Sequence, residues 1–241
     1  DVTSRQWNDW LIHADPDRRG DRFRPTRQLE NYLPGVQWMQ SLLEKAQGGA
    51  IKVGPASNWP QHFGNSPCEI ELTSLTGECR EATIWFGELA GKTTRRATDL
   101  TTGDTLSGNP SEFLQQELTG IQAFLCEPDP AVVRSGLVDA MSSQHNFTRI
   151  DYEEEYLTTS EQPRSSLVTP FAVEAVLPAG LKHIRKYFLA RPRHHYEIKC
   201  RRLQIDIESV RRRLPIGEHE PSTIIFCRVA GRSKAVVAQR V

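Results

Sequence analysis

The residues best placed to do chemistry lie in one stretch, Leu181 to Leu214, which reads LKHIRKYFLARPRHHYEIKCRRLQIDIESVRRRL. It holds eleven Lys or Arg against three acids (Glu197, Asp206 and Glu208), a local charge of about +8. The whole chain carries 30 basic and 30 acidic residues, so everything outside the stretch sums to about −8. Positive charge gathered in one place and interleaved with Tyr187, Phe188, Tyr196 and histidines is the footprint of a site for something anionic. Arginine offers phosphate a planar fork, and aromatic rings can stack on bases. The expected contact set is Lys182, Arg185, Lys186, Arg191, Arg193, Tyr196, Arg201, Arg202, Arg211, Arg212 and Arg213, and the expected partner is nucleic acid or another polyanion. The bland alternative is internal pairing with the acidic run Asp151-Tyr152-Glu153-Glu154-Glu155 on a neighbouring strand.

An enzymatic alternative uses the same stretch. Glu197-Ile198-Lys199 has the E-x-K spacing with which a carboxylate holds Mg²⁺ while the Lys steadies a phosphate, and Glu174 is the candidate second acid. No Pro-Asp precedes it, and such triplets are common on strand faces. Glu69 and Glu71 belong to a second version, in which strands alternating charged with apolar residues line a barrel that holds Mg²⁺ and a triphosphate. Otherwise no metal site and no cofactor is expected. The seven histidines are scattered. His194 and His195 are adjacent but point to opposite faces of a strand, and His219 stands between acids in a loop. No H-E-x-x-H, G-x-S-x-G, P-loop or G-x-G-x-x-G occurs; Gly91-Lys92-Thr93-Thr94 lacks the P-loop's preceding glycine. A third class is a protein-interaction domain working through Trp7, Trp10 and Trp38, if the N-terminal helices cannot bury them.

Length and composition bound these readings. At 241 residues the chain can bury a core without disulfide or metal staples. With 38% hydrophobic residues and a mean hydropathy of −0.50, it is polar and globular, and no apolar run approaches a bilayer's thickness. Five cysteines without a C-x-x-C pair argue against a zinc ribbon. Free thiols in a reducing compartment are expected, with a Cys200–Cys227 bridge the alternative. The setting is therefore intracellular, cytoplasmic or nuclear. Asn146-Phe147-Thr148 is a sequon that matters only in a secreted chain. A start at Asp1 and an end inside an apolar run fit a piece trimmed from a longer protein.

The elements that must carry these residues follow from periodicity. Thr3 or Ser4 caps a helix with Trp7, Trp10 and Leu11 on one face, stopped by Asp15 to Gly20. A second helix spans about Thr26 to Ala46 and is kinked or broken at Pro34-Gly35. Cys68 to Phe86 reads as a hairpin turning at Gly77. Asn109-Pro110 opens a helix through Phe113, Leu114, Leu118, Phe124 and Leu125, and Asp129-Pro130 opens another. Beyond Asn146 the chain reads as strands: 150–156, 167–177, a long strand from Tyr196 to Ile207 bulged at Arg201-Arg202, and a meander over 223–241. A short basic helix covers Lys182 to Ala190. The fold class is then α+β, mostly antiparallel sheet with N-terminal helices and a central two-helix insertion. The domains are 1–53, an N-terminal helical segment, and 68–241, a mixed domain. The leading function is a module that binds nucleic acid within a larger assembly.

Overall fold

The computed structural model describes residues 3, 7–19, 24–113 and 118–241. The chain divides into two compact units, residues 1–113 with 129–140, and residues 114–128 with 141–241. The boundary expected between 53 and 68 falls inside the first unit.

In the first unit six strands, β1 (Leu11–Ala14), β2 (Gly48–Val53), β3 (Cys68–Leu75), β4 (Glu78–Gly87), β5 (Arg95–Asp99) and β6 (Thr105–Gly108), pair in the order β1-β2-β4-β3-β5-β6. β1, β2, β3 and β5 run one way, and β4 and β6 the other. Helix α1 (Val36–Lys45) links the parallel pair β1 and β2, burying Val36, Met39 and Leu42 along one stripe. A short α2 (Trp59–Phe63) follows β2, and α3 (Pro130–Ser135) packs on β3 and β5. The expected starts of the β3–β4 turn and of α3 hold. Thr76 and Gly77 both adopt positive φ (50° and 76°), the two-residue turn that matches strand twist. The Asp129 carboxylate accepts from Ala131 N at 2.7 Å ahead of Pro130.

The second unit is a seven-stranded sheet ordered β11-β12-β13-β10-β7-β9-β8. Its strands are β7 (Phe124–Pro128), β8 (Thr148–Arg149), β9 (Leu157–Thr159), β10 (Val168–Pro178), β11 (Tyr196–Cys200), β12 (Ser222–Val229) and β13 (Arg232–Arg240). β11 and β12 are parallel, and the other pairs antiparallel. The division between the units falls within α4 (Val138–Gln144). Strands β12 and β13 are apolar on both faces. Ile224, Phe226, Ala235 and Val237 face α5 (Leu181–Leu189) and α6 (Ile207–Arg213), which bring Ile184, Phe188, Val210 and Leu214. Ile225, Cys227, Val236 and Ala238 face the other way, against Ile150, Tyr156 and Phe171.

Several expectations are corrected. Antiparallel pairs are the majority, but both sheets also contain parallel ones, so the chain is a mixed α/β protein with two mixed sheets. Among the described residues no helix runs through Trp7 to Leu11: Asn8 and Asp9 form a turn, and Leu11 to Ala14 are β1, held by the ladder to β2. Ser4 and Gly20 lie outside the described residues. Of the span Thr26 to Ala46, only Val36–Lys45 is α-helical, because Pro34 ends any earlier helix. The helix expected from Asn109 is one 3₁₀ turn at Pro110–Glu112. Leu114 lies outside the described residues, and Phe124 and Leu125 belong to β7 between β10 and β9. Residues 150–156 are a loop that sends Ile150 and Tyr156 into the core. The long strand at 196–207 ends at Cys200, because Asp206 caps a helix instead, accepting from Ser209 N at 3.0 Å.

Phe188 is fully buried and meets Tyr196 edge-on, ring centroids 4.8 Å apart. Phe188→Ala is expected to cost about 3–5 kcal/mol, read as a lower denaturant midpoint for the second unit with an unchanged slope.

Candidate nucleic-acid interface

The basic stretch is sorted by the elements that carry it. In α5, Ile184 and Phe188 stand four residues apart and are buried, which turns Lys182, Arg185 and Lys186 to solvent. In α6, Val210 and Leu214 are buried in the same way, and Arg211, Arg212 and Arg213 project outward. Both helices cover the same face of the sheet, so their outer faces look the same way. Arg211 pairs with Glu208 at 2.5 Å. Among the described residues no ion pair joins Lys182, Arg185, Lys186, Arg191, Arg212 or Arg213 to a carboxylate.

The cations on β11 and flanking it are different. Arg193, 9% exposed, pairs with Glu174 at 2.6 Å. Lys199 pairs with Glu127 at 2.7 Å, and Arg201 binds the same carboxylate. Arg202 pairs with Glu155 and Arg228 with Glu153, so the acidic run 151–155 does neutralise part of the stretch. Tyr196 is a brace in the core: its hydroxyl donates to Pro215 O at 2.7 Å and accepts from Arg193 N at 3.0 Å. The hydroxyl of Tyr187 donates to Glu174, and burial raises the pKa of both tyrosines.

The residues of the metal alternative are not gathered into one cluster. Glu174 meets Tyr187 of α5 on the helix-covered face, whereas Lys199 lies over the Phe171 ring on the other. Glu197 accepts from Thr223 Oγ1 at 3.0 Å and neighbours Lys199 and Arg240. Glu69 and Glu71 are likewise taken up by protein donors. Arg96 approaches both, at 3.3 and 3.2 Å, Trp85 Nε1 donates to Glu71 at 2.8 Å, and Gly91 N donates to Glu69 at 3.1 Å. A Cβ on residue 91 would fall 2.7 Å from that Glu69 oxygen, so glycine is what lets the loop close over it. No group of three His, Cys, Asp or Glu that could hold a metal occurs among the described residues.

All five cysteines are free. Cys200 pairs in register with Phe226, so Cys227 points to the opposite face and cannot bridge to it. Burial pushes the thiols of Cys126 and Cys227 up to about 12, which leaves them unreactive.

Sequence reasoning missed a second feature, in the first unit. The carboxyl ends of β1 and β2 lie side by side, the place where open α/β sheets bind ligands. Asp15, Pro16, Asp17 and Arg18 leave β1 there. Asp17 and Leu33 exchange backbone hydrogen bonds at 2.8 and 3.0 Å, and Gly54 N at the end of β2 donates to Tyr32 Oη. A recess of about 250 Å³ beside them is lined by Trp7, Trp38, Pro34, Pro16 and Asp15. The available signal was the four-residue run Leu11 to Ala14 before Asp-Pro, too short for a helix face but long enough for a strand.

Comparison with known proteins adds three findings. Residues 168–240 match the THUMP domain-like family. Over 246 aligned positions the chain is 28% identical to an uncharacterized S-adenosylmethionine-dependent methyltransferase of Mycobacterium tuberculosis, in strains CDC 1551 / Oshkosh and ATCC 25618 / H37Rv. The alignment takes in all of this chain and 66% of each relative, so the chain is shorter than two thirds of their length. In fold it is similar to a Porphyromonas gingivalis W83 crystal structure of a protein assigned as a methyltransferase. The TM-score is 0.76 at 14% identity, over 97% of this chain and 60% of that one. The expectation of no cofactor is thereby corrected, since the M. tuberculosis relatives are named for S-adenosylmethionine. The residues of this chain do not by themselves make a place for that molecule. No G-x-G-x-x-G is present, and the turn after β2, Gly54-Pro55-Ala56-Ser57, has a single glycine.

Proposed function

We propose that this chain is the RNA-contacting part of an S-adenosylmethionine-dependent RNA methyltransferase, and that the exposed cations of α5 and α6 make the contact. One observation carries this reading. Lys182, Arg185, Lys186, Arg191, Arg212 and Arg213 have no carboxylate partner among the described residues, while the cations on β11 and flanking it do. All six fall within the segment matching the THUMP domain-like family, and that domain type is RNA-binding. Arg and Lys without a carboxylate keep their charge for phosphate, and neutralising phosphates releases condensed counterions. Free thiols at all five cysteines agree with work in a reducing, intracellular compartment. Among the described residues no helix is long and apolar enough to cross a membrane.

In the first unit, the recess at the carboxyl ends of β1 and β2 is the proposed seat for the flat ring to be modified. Trp7, Trp38 and two prolines offer apolar faces, and Asp15 offers an acceptor for a ring or exocyclic N–H.

Retention of the chain on RNA should weaken steeply as salt rises. Reversing charge with Arg185→Glu and Lys186→Glu should lower the slope of log affinity against log salt by about 1 per cation removed, with no change in melting temperature. Absence of any retention at low salt would sink the proposal. In the full-length protein, Asp15→Asn should reduce methyl transfer to RNA by about 100-fold, the scale of losing one oriented hydrogen-bonding or acid–base group, and leave RNA affinity intact. Unchanged transfer would remove Asp15 from the site.

A further inference from the structure

We infer that the α5–α6 surface grips base-paired RNA by its phosphates and does not bind unpaired RNA by stacking on its bases. The inference rests on the reading of that surface as an RNA contact and names the form of RNA it takes.

Proteins that hold single strands combine a cationic track with aromatic platforms on which successive bases stack. The sequence offers three such rings beside the cations, Tyr187, Phe188 and Tyr196, and the fold buries the last two and leaves Tyr187 half-buried. Phe188 is fully buried and Tyr196 is 2% exposed, its hydroxyl tied to Pro215 O and Arg193 N. Tyr187 stands edge-on against Phe188, centroids 5.1 Å apart, with its hydroxyl on Glu174. The large apolar side chains left exposed near the cations are Leu189 and Ile216, at 60% and 71%, and neither has a π-face. Tyr152 is an exposed aromatic of this unit, but it lies on the loop over the opposite face of the sheet from α5 and α6.

What remains outward is charge, together with the imidazole rings of His183, His194 and His195, which are smaller platforms than Tyr or Trp. Lys182 and Lys186 lie one turn apart on α5, about 6 Å along its axis, with Arg185 between them, and Arg212 and Arg213 project from α6 on the same side of the sheet. A surface that works by charge favours the ligand with the denser charge, and a duplex carries about twice the charge per unit length of a single strand. Double-stranded RNA is read largely by shape and by its phosphates and 2′-hydroxyls, which needs no stacking platform.

The test titrates the chain with a blunt RNA duplex and with each of its separated, non-self-pairing strands, followed by anisotropy at low and at physiological salt. The duplex should bind about tenfold tighter than either strand, with the steeper salt dependence expected of a larger counterion release. Tyr187→Leu, which keeps the side chain's apolar bulk, should leave both affinities unchanged. Strands bound as tightly as the duplex, or a severalfold loss of strand affinity in Tyr187→Leu, would overturn the inference and leave the RNA contact standing. Failure to bind either form at low salt would overturn the RNA contact itself.

Discussion

Strands β12 and β13 have to be dry on both faces, and the rest of the second unit follows from that requirement. Ile224 and Phe226 point one way, Ile225 and Cys227 the other, and all four are essentially inaccessible. Each face needs a cover that is apolar inside and polar outside. On one side the cover is α5 and α6, whose outer arcs are Lys and Arg. On the other it is the loop 150–156, which sends Ile150 and Tyr156 inward and keeps Glu153 and Glu155 at its outer edge. The two covers therefore carry opposite charge. Cations on β11 and β12, or just past β11, are within reach of acids and neutralised: Arg202 by Glu155, Arg228 by Glu153, and Lys199 and Arg201 by Glu127. Helix-borne cations point away from them. Segregation of free from paired charge is thus a by-product of how a two-faced hairpin is covered.

The first unit obeys a different constraint. One face of its sheet is apolar, through Ile51, Ile70, Ile84 and Phe86. The other carries Glu69, Thr83 and Thr98 in buried positions and Glu71 and Arg96 in half-buried ones. Carboxylates so enclosed are tolerable only when their lone pairs are met, and Arg96, Trp85, Thr98 and the Gly91 N–H meet them. What looks in sequence like a row of metal ligands is a closed hydrogen-bonding network. The recess of this unit lies elsewhere, at the carboxyl end of β1, between Trp7, Asp15, Pro16, Pro34 and Trp38.

Local signals with a single mechanism were legible in the sequence. The turn at Thr76-Gly77, the Asp129-Pro130 start of α3, the basic helix α5 and the meander through Gly231 each depend on residues within a few positions of one another. Elements decided by distant partners were not. Leu11 to Ala14 could join an amphipathic helix until β2 offers a parallel ladder, and Phe124 and Leu125 have helical spacing until β10 and β9 flank them. The candidate site divided along the same line. That the stretch 181–214 is basic is plain from composition, but which cations are free depends on acids far away in the chain: Glu127 is 72 residues from Lys199.

Asp206 shows how one local choice settles the character of the surface. As a strand, residues 203–213 would alternate faces, and Arg211 and Arg213 would point opposite to Arg212. A strand covering a buried sheet cannot present charge on both sides without driving some of it into the core. By accepting from Ser209 N, the Asp206 carboxylate satisfies a first-turn amide and commits the segment to α6. With Val210 and Leu214 then anchored inward one turn apart, the three arginines between them fall on the opposite arc. They also sit in the last turn, where cations are favoured by the helix dipole. The same residues that would have been frustrated in a strand become a solvent-facing positive surface, and the acid responsible is among the few in a stretch otherwise read for its bases.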